Sequence, residues 1–175
     1  GSKVAHLAQA FGMTVLAADP YTAPERAAAV GVTQMPLEEM LPQSDFVSVH
    51  APLTPDTHHI IGARTLPLFK HTAILVNTAR GPLVDPTALA EALQAGRLAA
   101  AGIDVFEQEP FAADDPLHGL PNVVATPHVA GNTEESLVNL AVDAAKNILA
   151  VFSGQMPDGL VNPEVLKSTT RVRIG

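Results

Sequence analysis

Arg80, His128 and the carboxylates Asp104, Glu107 and Glu109 are the side chains whose types and settings point to chemistry. Arg80 follows Ile74-Leu75-Val76-Asn77, a short run that reads as a strand covered on both faces. Its guanidinium is always charged, and its rigid fork suits a carboxylate or a phosphate. The same residue reads equally as a surface arginine in a strand-to-helix loop, and this stretch alone leaves both readings open. Asp19 and His50 also stand directly after apolar runs, and His128 follows one after Thr126-Pro127. A lone histidine after a strand is more often a loop residue bonded locally. An arginine, a carboxylate and a histidine at the carboxyl ends of successive strands are a stronger signal, because open α/β sheets place their ligand crevice there.

A second chemistry is suggested near the start of the chain. Asp19-Pro20 closes the apolar run Met13 to Ala18. In a dinucleotide-binding unit, an acid at the tip of the second strand accepts hydrogen bonds from the adenosine ribose, about 20 residues after the glycine fingerprint. Gly1 stands 18 residues before Asp19, where the last glycine of G-x-G-x-x-G would fall. The first two glycines and the strand before them are not in the sequence, and Gly1-Ser2 reads equally as a cloning remnant.

The elements that must position these residues alternate. Lys3 to Phe11 has helical apolar spacing, with Gly12 as its stop. Strands are expected at Met13 to Ala18, Val32 to Met35, Asp45 to His50, Ile74 to Asn77, Ala99 to Val105 and Asn122 to Thr126. Helices are expected at Pro24 to Val30, Leu37 to Leu41, Arg64 to Phe69 and Pro86 to Ala95. Asp85 is the N-cap of the last of these, with Pro86 at its first position. A final helix runs from Asn132 or Thr133 to about Phe152, with Glu134 and Glu135 in its positive first turn. Strands alternating with helices predict an α/β fold with a doubly wound parallel sheet. Its strand tips share one edge.

Bulk properties agree. The chain has 175 residues, 47% hydrophobic and 16% charged, enough for a real core. A formal net charge of −8 argues against nucleic-acid or acidic-membrane partners. There is no cysteine, hence no disulfide framework or thiolate chemistry. No apolar run reaches the ~18 residues of a membrane span, and no signal-peptide pattern opens the sequence. A cytoplasmic setting is expected. No metal-ligand spacing is evident, the pair His58-His59 included, so no metal is expected.

Four blocks carry a family likeness: Val49-His50-Ala51-Pro52-Leu53-Thr54, Val76-Asn77-Thr78-Ala79-Arg80-Gly81, Gly102-Ile103-Asp104-Val105-Phe106 with Glu109-Pro110, and Thr126-Pro127-His128-Val129-Ala130-Gly131. In these, from Gly1 to about Pro163, the chain resembles the D-isomer-specific 2-hydroxyacid dehydrogenases, the family of phosphoglycerate dehydrogenase and hydroxypyruvate reductase. The resemblance implies a Rossmann-like NAD-binding domain that interconverts a D-2-hydroxy acid and a 2-keto acid by hydride transfer. It implies that Arg80 binds the substrate carboxylate and that His128 is the acid and base, since imidazole titrates near neutral pH. It implies too that Glu109 holds the histidine ring and favours its imidazolium. Glu107 competes for that role, and only the family's Glu-Pro pairing selects Glu109. Gly1, Asp19, Pro20, His50, Ala51, Pro52, Thr78, Ala79, Asp104 and Gly131 are implied to line the cofactor. Asp104 would lie near the nicotinamide carboxamide, with turn chemistry as the lesser reading. Asp19 argues for NAD over NADP, because a carboxylate repels a 2′-phosphate.

The likeness also sets expectations about organisation. Family members are roughly twice this length, so the sequence is expected to be a piece of the enzyme and inactive by itself. Residues 1–155 would form the NAD-binding domain without its first strand, and 156–175 a loosely held tail returning to a substrate domain. In the strand order 3-2-1-4-5-6 the first strand is central. Its absence would leave a gap between the Met13 and Phe46 strands. Either the gap is filled, for instance by strand exchange in a homodimer, or the first 40 or so residues pack differently. The long C-terminal helix should expose apolar surface that favours self-association. The alternative function is an NADH-sensing, corepressor-like binding module of the same family.

Overall fold

The computed structural model describes residues 1–167. The chain divides into two compact units, residues 1–130 and 131–175. In the first, α1 (Ser2–Ala10), β1 (Leu16–Ala17), α2 (Pro24–Val30), β2 (Thr33–Gln34) and α3 (Leu37–Met40) precede the main sheet. The main sheet contains β3 (Phe46–Val49), β4 (Ile74–Asn77), β5 (Ala100–Ile103) and β6 (Val123–Ala125), with α4 (Pro86–Gln94) between β4 and β5. Its four strands run parallel in sequence order, and Val47, Leu75, Ala101 and Val123 lie across from one another in register. Val47, Val49, Leu75, Ala101 and Ile103 are buried with Leu41, Leu83, Leu89, Leu93 and Leu98, which is the core.

The remaining two strands form a separate parallel pair, β1 with β2, joined at Leu16↔Thr33 and Ala17↔Gln34. The expected gap is therefore present: among the described residues, β1 bonds only to β2, and β3 bonds only to β4. On β3, Phe46 and Ser48 are exposed while Val47 and Val49 are buried. Strand β1 is also shorter than the expected Met13 to Ala18. A strand bonded on one side, to a partner only two residues long, has little ladder to hold it.

Local chemistry accounts for most other boundaries. Helix α4 starts where Asp85 Oδ1 accepts the Thr87 and Ala88 N–H groups, both at 3.0 Å. Gly31, at φ +74°, ends α2 in the left-handed conformation that a glycine adopts without a Cβ penalty. The expected helix Arg64 to Phe69 is corrected to a single 3₁₀ turn at Leu66–Leu68. Pro67 has no N–H, so an α-helical ladder across Arg64 to Phe69 would lack a bond at its centre.

In the second unit, α5 (Glu134–Phe152) begins at Thr133, whose hydroxyl oxygen accepts the Ser136 N–H at 3.1 Å. None of its residues is buried, and Leu137, Leu140, Ile148 and Phe152 are exposed. A 3₁₀ turn follows at Pro163–Lys167. The part of the expected tail from 168 onward lies outside the described residues. Among the described residues, no helix is long and apolar enough to cross a membrane.

Candidate active site

The turn that presents Arg80 is built by the residue that ends β4. Asn77 is buried at 1% exposure, yet it faces no apolar partner unpaired. Its Nδ2 donates to the Arg80 carbonyl at 2.9 Å, and its Oδ1 accepts the Ala79 N–H at 3.1 Å. The buried amide thus ties together both ends of the Thr78–Arg80 turn and leaves the Arg80 side chain exposed. Arg80 Nη1 donates to the Ala79 carbonyl at 2.6 Å. Gly81 follows because nothing larger fits: a Cβ there would lie 1.9 Å from the Phe106 carbonyl oxygen and 2.5 Å from the Glu107 nitrogen. The Arg80 turn is therefore pressed against the loop that carries Glu109.

His128 is held on the neighbouring strand tips by Asp104. It has φ +56°, in the left-handed region that non-glycine residues rarely adopt. Its N–H donates to the Asp104 carbonyl at 2.7 Å. The Asp104 carboxylate, 3% exposed, accepts Thr126 Oγ1 at 2.6 Å and the Val129 and Ala130 N–H groups, each at 2.9 Å. Burial alone would raise the Asp104 pKa. The Thr126 hydroxyl and the two backbone donors outweigh it and hold the group below the usual carboxylate range.

Glu109 closes the arrangement. Its Oε2 lies 2.8 Å from His128 Nδ1, and its Oε1 accepts the Phe106 N–H at 3.1 Å. The His128 bond, then the Phe106 bond, lowers the Glu109 pKa. An ionised carboxylate can only accept, so Nδ1 carries the hydrogen and Nε2 is left for other partners. Both side chains are about half exposed, so the pair faces open space.

The residues assigned to the cofactor belong to the first unit, with one exception. Gly1 caps α1 without a side-chain bond, and a Cβ on it would sit 3.6 Å from His50 Cβ. His50 Nε2 pairs with Ser48 Oγ at 2.9 Å, and loss of surrounding water lowers its pKa. Ala51 and Pro52 continue from His50, with the Pro52 carbonyl accepting Thr57 Oγ1 at 2.7 Å. Thr78 is exposed and Ala79 half-buried on the Arg80 turn. Asp19 and Pro20 leave β1. The Asp19 carboxylate accepts Thr22 Oγ1 at 2.7 Å and the Tyr21 N–H at 2.9 Å, which lower its pKa. Gly131 is the exception, belonging to the second unit.

Sequence reasoning missed the organising role of Asn77; a polar residue ending a buried strand was the signal. It also dismissed His58 and His59. The structure brings both rings beside Glu107, with His59 Nε2 at 3.0 Å from Glu107 Oε1.

Comparisons with known proteins identify the family. Residues 1–130 match the family described as D-isomer specific 2-hydroxyacid dehydrogenase, NAD binding domain. A glyoxylate reductase of Korarchaeum cryptofilum is 48% identical over 167 residues, covering 95% of this chain and 50% of that protein. A D-3-phosphoglycerate dehydrogenase of Methanocaldococcus jannaschii is 43% identical, covering 93% of this chain and 31% of that protein. Among solved structures, the D-lactate dehydrogenase with NAD+ from Lactobacillus jensenii superposes with a TM-score of 0.83 at 34% identity, covering 92% of this chain and 52% of that one. The chain spans about half the length of most of these relatives.

Proposed function

Since this chain belongs to the D-isomer specific 2-hydroxyacid dehydrogenases through their NAD-binding domain, we propose that the whole protein interconverts a small D-2-hydroxy acid and its 2-keto acid. The observation that carries the reading is the Glu109–His128 pair at 2.8 Å, on the strand edge that also bears Arg80. Bound NADH supplies the hydride. Arg80 clamps the substrate carboxylate through its fork and turns the adjacent carbonyl toward His128. In reduction, His128 Nε2 gives its proton to the carbonyl oxygen, which becomes the hydroxyl; in oxidation the same nitrogen takes it back. Glu109 fixes the ring through Nδ1 and balances the charge on the imidazolium.

The residues present suit a dinucleotide. The first N–H groups of α1 have no side-chain cap, and its N-terminus stands beside His50, a setting that favours a pyrophosphate. Asp19 retains exposed carboxylate oxygens for ribose hydroxyls and repels a 2′-phosphate, so NAD is preferred. Pro20, Ala51, Pro52, Thr78 and Ala79 would line the cofactor mainly through backbone, and Asp104 would lie near the carboxamide. The domain extends to about residue 155, the partner is a second copy of the chain, and the setting is cytoplasmic.

The test is steady-state turnover of glyoxylate, hydroxypyruvate and pyruvate with NADH by the whole protein. His128→Ala should lower kcat by about 10²–10⁴-fold, the usual contribution of a positioned general acid. Arg80→Ala should lower kcat/KM by about tenfold or more, from the loss of charge-assisted bonds. Turnover that survives both substitutions would refute the assignment. Absence of turnover by the unsubstituted protein with all three acids would favour a binding module.

A further inference from the structure

His58, His59 and Glu107 form a cluster of ligating side chains that the hydride chemistry leaves unused. Each offers one ligating atom, and these atoms all lie within 4.8 Å of one another. His59 Nε2 is 3.0 Å from Glu107 Oε1, and His58 Nε2 is 3.8 Å from the same oxygen. Two consecutive histidines seldom face the same way. Here His59 adopts φ +50°, its N–H donates to the Pro82 carbonyl at 2.8 Å, and the two rings lie with centroids 3.9 Å apart. Glu107 is fixed from the other side, because its backbone nitrogen is packed against Gly81.

We propose that His58, His59 and Glu107 form a binding site for a divalent transition cation of the Zn²⁺ class. Two imidazole nitrogens and one carboxylate oxygen suit Zn²⁺, whereas Ca²⁺ and Mg²⁺ take oxygen ligands. Ligands about 2.0–2.1 Å from a tetrahedral ion stand roughly 3.3 Å apart. The His59–Glu107 separation already matches, and a small rotation of the half-exposed His58 ring closes the other. The second imidazole nitrogen turned toward Glu107 Oε1, at 3.8 Å, is beyond hydrogen-bond reach but well placed to share an ion with it.

The surroundings support this assignment. Asp85 Oδ2 lies 3.9 Å from His59 Nδ1, while its other oxygen caps α4. No hydrogen bond forms at that distance, but the carboxylate stands on the side of the ring where metal-binding histidines commonly find their second partner. With three protein ligands, a fourth position stays open to water. The ion would fasten the His58–His59 turn to the loop that carries Glu109. This inference does not depend on the hydride chemistry.

Calorimetric titration of the chelator-treated 175-residue chain with zinc chloride tests it, with the visible absorption of added Co²⁺ as a second readout. The expected result is one equivalent bound in the micromolar range, the intense bands of four-coordinate cobalt, and a higher Tm with zinc, since a ligand that binds only the folded state stabilises it. Glu107→Gln, which keeps the shape, and His58→Ala should each weaken binding tenfold or more. His71→Ala, an exposed histidine elsewhere, should not. Circular dichroism checks that each variant is folded, and Glu107→Gln and His58→Ala are independent should either fail. No one-equivalent binding by the unsubstituted chain would overturn the proposal. So would zinc binding that persists through both substitutions, which would mark an adventitious ion only.

Discussion

Asp104 shows how one residue can hold a catalytic geometry without touching substrate. It is buried and charged, and its carboxylate and carbonyl together accept four hydrogen bonds from residues 126 to 130. The left-handed backbone at His128 persists because these bonds fix the residues on either side of it. Asp104→Asn turns an amide N–H₂ toward backbone donors and leaves at least one unpaired. We expect a loss of about 3 kcal/mol in urea unfolding, in the range for bonds to a charged group and an unsatisfied buried donor. A loss under about 1 kcal/mol would mean that the loop holds itself. The pH dependence has a definite sign. The folded pKa of Asp104 lies below its unfolded value, so its stabilisation is complete above the unfolded pKa, near about 4, and is lost as pH falls through the folded value. The unsubstituted chain should therefore lose stability on acidification more steeply than Asp104→Asn. The sequence showed Asp104 at a strand tip and left two readings of it open. It could not show the bonds, because their donors lie 22 to 26 residues away along the chain.

The elements were legible where local chemistry decides them. Asp85-Pro86 opens α4, Thr133 opens α5, and the Phe46 and Ile74 runs became β3 and β4. They were not legible where the outcome depends on a neighbour. Met13 to Ala18 kept only two strand residues because β1 pairs on one side, and Arg64 to Phe69 tightened to a 3₁₀ turn around Pro67. The juxtaposition of the Arg80 turn with the Phe106–Glu107 loop was likewise invisible, because it depends on Gly81 lacking a Cβ. Gly81→Ala places a methyl 1.9 Å from a backbone carbonyl oxygen, which no flexible side chain can relieve. One of the two loops must move. We expect a loss of at least about 1–3 kcal/mol, the usual cost of overpacking. In the whole protein, we expect a fall in kcat larger than that of Asp85→Ala, which removes only a helix cap worth about 1 kcal/mol. Equal effects on stability and turnover from the two substitutions would show that the close contact has no bearing on the site.

At the scale of the molecule, the split sheet and the uncovered helix belong together. A doubly wound sheet in the order 3-2-1-4-5-6 has its first strand between the positions held here by β1 and β3. Among the described residues both of those strands present an unbonded edge, and unbonded edges recruit other strands. In the second unit, α5 presents Leu137, Leu140, Ile148 and Phe152 to solvent, an apolar surface of the kind that marks an association site. The two features predict self-association by different routes, and sedimentation velocity can separate them. The 175-residue chain should form dimers across the micromolar range. Leu137→Glu with Ile148→Glu puts charge on one face of α5, since the positions are three turns apart. If helix contacts drive association, this pair should return the chain to a monomer. If the sheet edges drive it, the dimer should survive that pair and dissociate instead when Ser48→Pro removes an edge donor from β3. A chain that remains a compact monomer at all concentrations, with the circular dichroism of a complete parallel sheet, would exclude both routes and would mean that the gap between β1 and β3 closes within a single chain.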